Sequence, residues 1–262
     1  MKIDLNADLG EGFGPWPMGD DDALLQLVSS ANVACGFHAG DPLIMKRTVL
    51  RAKELGVDIG AHVGFPDRQG FGRRPMQIPV EELAAMVVYQ LGALDGLARS
   101  VGARVRHMSF HGALGNMAAA DAALAGPLVE AVASFDPTLL VVSSTSAAIE
   151  GAAARCGLKV ATTFLADRAY GDDGLLVPRG RPGAVIHDRA TVLERVRLLL
   201  REGRVITASG ASLAMPAHSI LLHGDNAEAV EFARTVRSAI EEAGGAVTPV
   251  TQVLGGAGTA QT

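Results

Sequence analysis

Val57-Asp58-Ile59-Gly60-Ala61-His62-Val63-Gly64 is the stretch from which the fold can be read. A short apolar run closes on a histidine with a glycine close behind, and three other runs end the same way. Ala31–Phe37 leads into His38-Ala39-Gly40, Val105–Phe110 into His111-Gly112, and Ser219–Leu222 into His223-Gly224. Apolar runs of this length, separated by helix-like segments, predict buried strands of a mostly parallel sheet. In such folds the active site is assembled where the loops leave the carboxyl ends of the strands. Four of the seven histidines at equivalent strand ends therefore predict one polar pocket, since unrelated structural needs would scatter them over both ends of the sheet.

Outward from these runs, Ile3–Leu9, Val57–Val63, Leu139–Val142 and Leu158–Phe164 bring the predicted strands to about seven. Helices are predicted between them. Asp41–Leu55 opens with a capping Asp41 and Pro42 at the first helical position, and Val80–Ser100 carries apolar residues at helical spacing. Asp188–Arg201 follows the same pattern, and Asn226–Ala243 ends on Gly244-Gly245 as a helix terminus should. The Ala-rich stretch Ala118–Ala133 reads as one amphipathic helix. No linker, charge block or compositional break divides the chain. The expected architecture is α/β: a single barrel-like (β/α) domain over 1–262, with a long functional loop at about 165–187.

Composition narrows the function. Hydrophobic residues at 48% and charged residues at 19% supply a core and exclude a disordered chain. A net charge of −5 with no basic patch argues against a nucleic-acid partner. Cys35 and Cys156 are far apart and lack metal-site spacing, which fits a reducing compartment. The amino terminus has no apolar signal region, and no run approaches the ~20 apolar residues of a membrane span. The expectation is a cytoplasmic protein with no membrane partner.

Candidate chemistry gathers at the strand ends. Asp4, Asn6 and Asp8 share one face of the first strand, either the interior of a barrel or a solvated edge. The Gly-rich turn Leu9–Gly14 presents Glu11. Neither GxxxxGK[ST] nor GxGxxG occurs, so no nucleotide motif is recognisable. Paired arginines in Gly70-Phe71-Gly72-Arg73-Arg74-Pro75 suit a carboxylate or phosphate. HExxH is absent, and His107 and His111 lie about 13 Å apart on a straight strand at ~3.3 Å per residue, too far for one metal. Strand-one carboxylates with histidines from other strands leave a divalent ion open.

Motifs in order along nearly the whole chain resemble the LamB/YcsF family, to which the A subunits of bacterial ATP-dependent 5-oxoprolinases belong. They are Ile3–Glu11, Ala31–Pro42, Gly60-Ala61-His62 with Pro66-Asp67 and Gly70–Arg74, His111–Leu114 with Asn116, Ala166–Tyr170 with Asp172–Gly174 and Leu176–Arg179, and His223-Gly224-Asp225. The resemblance implies a seven-stranded barrel related to glycoside hydrolases and deacetylases. It also implies ATP-dependent opening of 5-oxoproline to glutamate together with B and C subunits. The chain departs from the family pattern at Ser109-Phe110, where a Lys-Pro pair is usual, at Gly115, and at Val63-Gly64-Phe65.

On this reading Asp8 and Glu11 are candidate general bases, and His38, His62, His111 and His223 candidates for proton transfer or oxyanion stabilisation. Asn6, Arg73, Asp167, Arg168 and Asp225 are candidate substrate contacts, with Arg73 and Arg168 as carboxylate clamps. ATP enters as a co-substrate handled with the partner subunits. A divalent metal and a homo-oligomer are left open. Two other readings stand beside this one: a metal-dependent amidase or deacetylase working without ATP, and a non-catalytic binding protein within the complex.

Overall fold

The computed structural model describes residues 1–224 and 229–255. Seven parallel strands close on themselves: β1 (Lys2–Leu9), β2 (Ser30–Ala34), β3 (Asp58–Val63), β4 (Val105–Phe110), β5 (Leu140–Ser143), β6 (Val160–Leu165) and, after the short antiparallel pair β7 (Arg204–Ile206) and β8 (Ser212–Ala214), β9 (Ser219–Leu222). Closure comes from β9 lying between β6 and β1, with Asp4 opposite Ser219 and Ala7 opposite Leu222. A two-residue strand, β10 (Ala246–Val247), extends the foot of β1.

The helices are α1 (Asp21–Leu25), α2 (Pro42–Leu55), α3 (Val80–Ser100), α4 (Gly112–Ala120), α5 (Ala122–Phe135), α6 (Ala147–Cys156), α7 (Arg189–Glu202), α8 (Ala229–Glu242) and α9 (Val250–Val253). Local chemistry sets their ends. In α2 the Asp41 carboxylate accepts from the amides of Leu43 and Ile44, Pro42 starts the helix, and Gly56 ends it in the left-handed region at φ 69°. Its Ile44, Met45, Val49 and Ala52 face the barrel and are buried. None of the described helices is singly long and apolar enough to cross a membrane.

Four expectations need correction. The strand predicted over Ala31–Phe37 stops at Ala34, because Gly36 at φ 89° and a hydrogen bond from its amide to the Ala39 carbonyl turn the chain. The strand predicted from Leu158 starts at Val160, since the Leu158 amide still closes the end of α6 on the Ala153 carbonyl. Ala118–Ala133 is two helices meeting at 116°; Asp121 leaves helical geometry to cap α5 by accepting from the Ala123 amide. Within the described residues the helix predicted from Asn226 begins at Ala229, and residues 226–228 lie outside them.

The interior of this barrel is polar along much of its wall. Alternation along β1 sends Leu5, Ala7 and Leu9 outward into the apolar layer beneath the helices and Asp4, Asn6 and Asp8 inward. There they meet Ser30, Asn32 and Ser219 from the neighbouring strands. Across the lumen Leu140, Val142 and Ala161 form a separate small apolar cluster with Val250 of α9. The Val250 amide donates to Ser30 Oγ, so α9 joins both halves of the floor.

Candidate functional site

At the mouth, side chains from four segments converge. His62 ends β3 and Ser109 lies opposite it on β4, in the register that pairs the two residues. Glu11 comes from the Gly-rich turn after β1, His38 from the bend after β2, and His111 from the residue preceding α4. The potential ligand atoms of Glu11, His38, His62 and His111 lie within 4.8 Å of one another, and all four residues are buried.

Hydrogen bonds order this group. His111 Nε2 lies 2.8 Å from the Phe71 carbonyl, which can only accept, so Nε2 carries the proton and Nδ1 turns a lone pair toward the cluster. Burial lowers the His111 pKa to about 3, which keeps the ring neutral. His111 Nδ1 is 2.9 Å from His62 Nε2, and His62 Nδ1 is 2.7 Å from Ser109 Oγ. The hydroxyl donates or accepts, so Ser109 satisfies His62 in either tautomer. His62 Nε2 also lies 3.4 Å from Asp8 Oδ2, while His38 Nε2 lies 3.2 Å from Glu11 Oε1. His38 is held neutral by burial and by the imidazoles of His111, stacked on it at 3.8 Å, and His62.

Two backbone features permit this packing. Phe71 is the non-glycine residue with a positive φ, 53°, among those described, and this turn aims its carbonyl at His111. Gly72 follows, also left-handed; a Cβ there would stand 2.8 Å from both His111 Cδ2 and His38 Cβ.

Beneath lies a second tier. Asn32 Nδ2 donates to Asp8 Oδ1 at 2.9 Å, and Asn32 Oδ1 faces His107 Nε2 at 3.1 Å and Asn6 Nδ2 at 3.4 Å. The Asn6 side chain is thus spent on Asn32 below the cavity rather than presented to a ligand, and Asn6 Oδ1 and His107 Nδ1 remain buried without partners. His107 fits because a Cβ at Gly60 would lie 2.0 Å from its Nε2. Burial pushes the Asp8 carboxyl upward, but His62, His223 and the Asn32 bond outweigh it and hold Asp8 well below the ordinary carboxylate range.

Asp8, His62, Ser109 and His111 line a cavity of about 90 Å³ together with Arg73, Arg168, Arg179 and His223. His223 Nδ1 lies 2.8 and 2.9 Å from the two oxygens of Asp167, and its Nε2 lies 3.3 Å from an Arg179 amino group. Burial opposes the charge on His223, but Asp167 raises its pKa overall. The long loop is ordered. Arg168 Nε donates to the Ala184 carbonyl and its amino group to the Val177 carbonyl, bracing the loop instead of clamping from its rim. Arg74 pairs with Asp67, which leaves Arg73 as the cavity-lining member of the arginine pair. Asp225 lies outside the described residues.

Asn32, Ser109, Phe71 and Arg179 take parts here that were not read from the sequence. The alternation of Ser30 and Asn32 with Ala31 and Val33 marks Asn32 as inward-facing, and Arg179 closes a motif already noted. Nothing local marks Phe71.

The donor set also suits an ion. One carboxylate and three imidazoles, with the His111 lone pair aimed inward, match the nitrogen and oxygen ligation of zinc or a first-row divalent metal.

Residues 3–255 match the LamB/YcsF family. A protein of Pseudomonas syringae pv. tomato, named as 5-oxoprolinase A subunit 1, is 68% identical over 255 residues, covering 97% of this chain and 100% of that one. A Ralstonia nicotianae protein named as 5-oxoprolinase A subunit 2 is 65% identical over 255 residues, covering 97% and 98%. The crystal structure of the lactam utilization protein of Thermus thermophilus matches with a TM-score of 0.87 at 41% identity, covering 95% of this chain and 99% of that one.

Proposed function

The chain belongs to the LamB/YcsF family, and from that premise we propose that it is the A subunit of an ATP-dependent 5-oxoprolinase, opening 5-oxo-L-proline to L-glutamate with B and C subunits. The observation that carries the reading is the hydrogen-bonded line Asp8, His62, His111 along a cavity of metabolite size, far below the ~300–1,000 Å³ of drug-sized sites.

A five-membered lactam is a resonance-stabilised amide, slow to hydrolyse and with little strain to release. Converting its carbonyl oxygen to a phosphate ester at the expense of ATP removes the resonance and makes the ring carbon electrophilic. The chain shows no phosphate-binding loop, which favours assigning that transfer to the partner subunits. This barrel then supplies hydrolysis. Asp8, ionised and hydrogen-bonded to Asn32, draws a proton through His62 from the attacking water, and Ser109 holds His62 in position. His223, backed by Asp167, is placed to protonate the departing ring nitrogen.

Mixing the purified chain with its B and C partners and measuring glutamate formed from L-5-oxoproline with and without ATP tests the reading. ATP-dependent turnover that needs this chain is expected, and its absence refutes the assignment.

The Glu11, His38, His62 and His111 cluster supports a second reading, a metal-dependent amidase acting alone. A divalent ion held by those residues supplies a Lewis acid toward a carbonyl oxygen. Metal content of the purified chain, with activity on simple lactams and acetamides in the absence of ATP and partners, separates the two readings.

A further inference from the structure

Arg73, Arg168 and Arg179 line the same small cavity as Asp8, His62 and His111. Arg73 and Arg179 also line an adjoining groove of about 540 Å³, so both stand where the two spaces meet. They arrive from different loops, Arg73 from the Gly-rich turn after β3 and Arg179 from the long loop after β6. The third guanidinium has another task. Arg168 is 2% exposed and donates to the carbonyls of Ala184 and Val177, which fixes the segment carrying Arg179 over the cavity.

The carboxylates nearby are already engaged. Asp167 directs both oxygens at His223 Nδ1, and Asp8 is held by Asn32 and faces His62. Positive charge is crowded enough that burial first, and Arg179 next, pull the Arg168 pKa to about 10. Concentrated cations in a small, partly buried space favour an anionic ligand.

We propose that Arg179 and Arg73 form an oxyanion subsite at the junction of the two cavities, taking the carboxylate or a phosphoryl group of a small substrate, with His223 Nε2 as a further donor. Resting on Asp167 through Nδ1, the His223 ring turns Nε2 to Arg179 at 3.3 Å, and an oxyanion entering there meets both groups. The guanidinium fork matches planar carboxylate and phosphoryl geometry, which a single ammonium does not. This assignment rests on the reading of the cavity as the substrate site. It shifts the anion-binding role from Arg168 to Arg179.

Titration calorimetry of the full chain with three probes tests it: L-5-oxoproline, 2-pyrrolidinone (the same ring without the carboxylate) and inorganic phosphate. Arg179→Ala is expected to weaken L-5-oxoproline at least tenfold and leave 2-pyrrolidinone unchanged, which assigns the subsite to the carboxylate. Loss of phosphate binding alone assigns it to a phosphoryl group. Arg73→Ala should weaken the same anion, and Arg179→Lys should fall between wild type and alanine. Folded Arg179→Ala protein that keeps full affinity for both anions overturns the proposal, as does a wild-type chain that binds neither. Turnover separates this from the functional reading: ATP-dependent glutamate formation with unchanged affinity in Arg179→Ala removes the subsite alone, whereas Arg179-dependent anion binding without lactam opening removes the reading alone.

Discussion

Asp4 and Asp8 lie on one face of β1, both buried inside the barrel, yet their acidities move in opposite directions. Asp4, at the floor, accepts from the hydroxyls of Ser29, Ser30 and Ser219 at 2.7, 2.6 and 2.6 Å. Burial outweighs these three bonds and raises its pKa to about 6. Asp8, at the mouth, has one amide bond and an imidazole at 3.4 Å, and its pKa is lowered. Hydroxyl dipoles only partly replace the water a carboxylate loses, whereas nearby ionisable imidazoles act on its full charge. The floor carboxylate is therefore poised to hold a proton, and the mouth carboxylate to stay ionised and serve as a base.

The largest test is Asp8→Asn. Turnover of L-5-oxoproline in the reconstituted complex should fall by roughly 100-fold or more, the scale of a lost general base, while thermal unfolding stays cooperative. Retention of most activity would make the mouth carboxylate as silent as the floor one and dissolve the contrast. A smaller effect is expected at Ser109, where Ser109→Ala removes the bond that holds His62 Nδ1. One neutral hydrogen bond is worth about 1 kcal/mol, so kcat should drop about five- to tenfold with KM little changed. Ser109→Lys should do worse than alanine, because a lysine at this buried position places an ammonium against the imidazole in place of a hydroxyl. A gain in activity from the lysine would show that charge, not His62 geometry, limits the reaction.

The smallest effect on turnover belongs to Asp4→Asn, which should leave kcat near wild type and change the pH dependence of stability. With a folded pKa of about 6 above the unfolded value of 3.8, native Asp4 takes up its proton first as pH falls. Its contribution to stability therefore grows as pH falls through about 6, is fully present below 3.8, and is lost as pH rises. Denaturant unfolding at near-neutral and at acidic pH should show wild type gaining up to about 3 kcal/mol relative to Asp4→Asn on acidification. Parallel curves for the two proteins would mean that the serines solvate Asp4 as well as water does.

The sequence by itself determined the elements whose signals are local. Period-two alternation placed Asp4, Asn6 and Asp8 on one face, and Asp41-Pro42 with Gly56 bounded α2. The recurring His-Gly ends marked the rim of the candidate site, because a parallel strand delivers its last residues to one side whatever its neighbours are. The tertiary structure decided which of those residues meet. Closure of the barrel set Ser109 opposite His62 and brought Asn32 under Asp8, pairings between strands that no local pattern encodes. It also separated two arginines of the same long loop, bracing that loop with Arg168 and placing Arg179 at the cavity. The left-handed Phe71 that fixes His111 is stable only because the surrounding packing holds it, and packing at that distance along the chain is set by the closed fold.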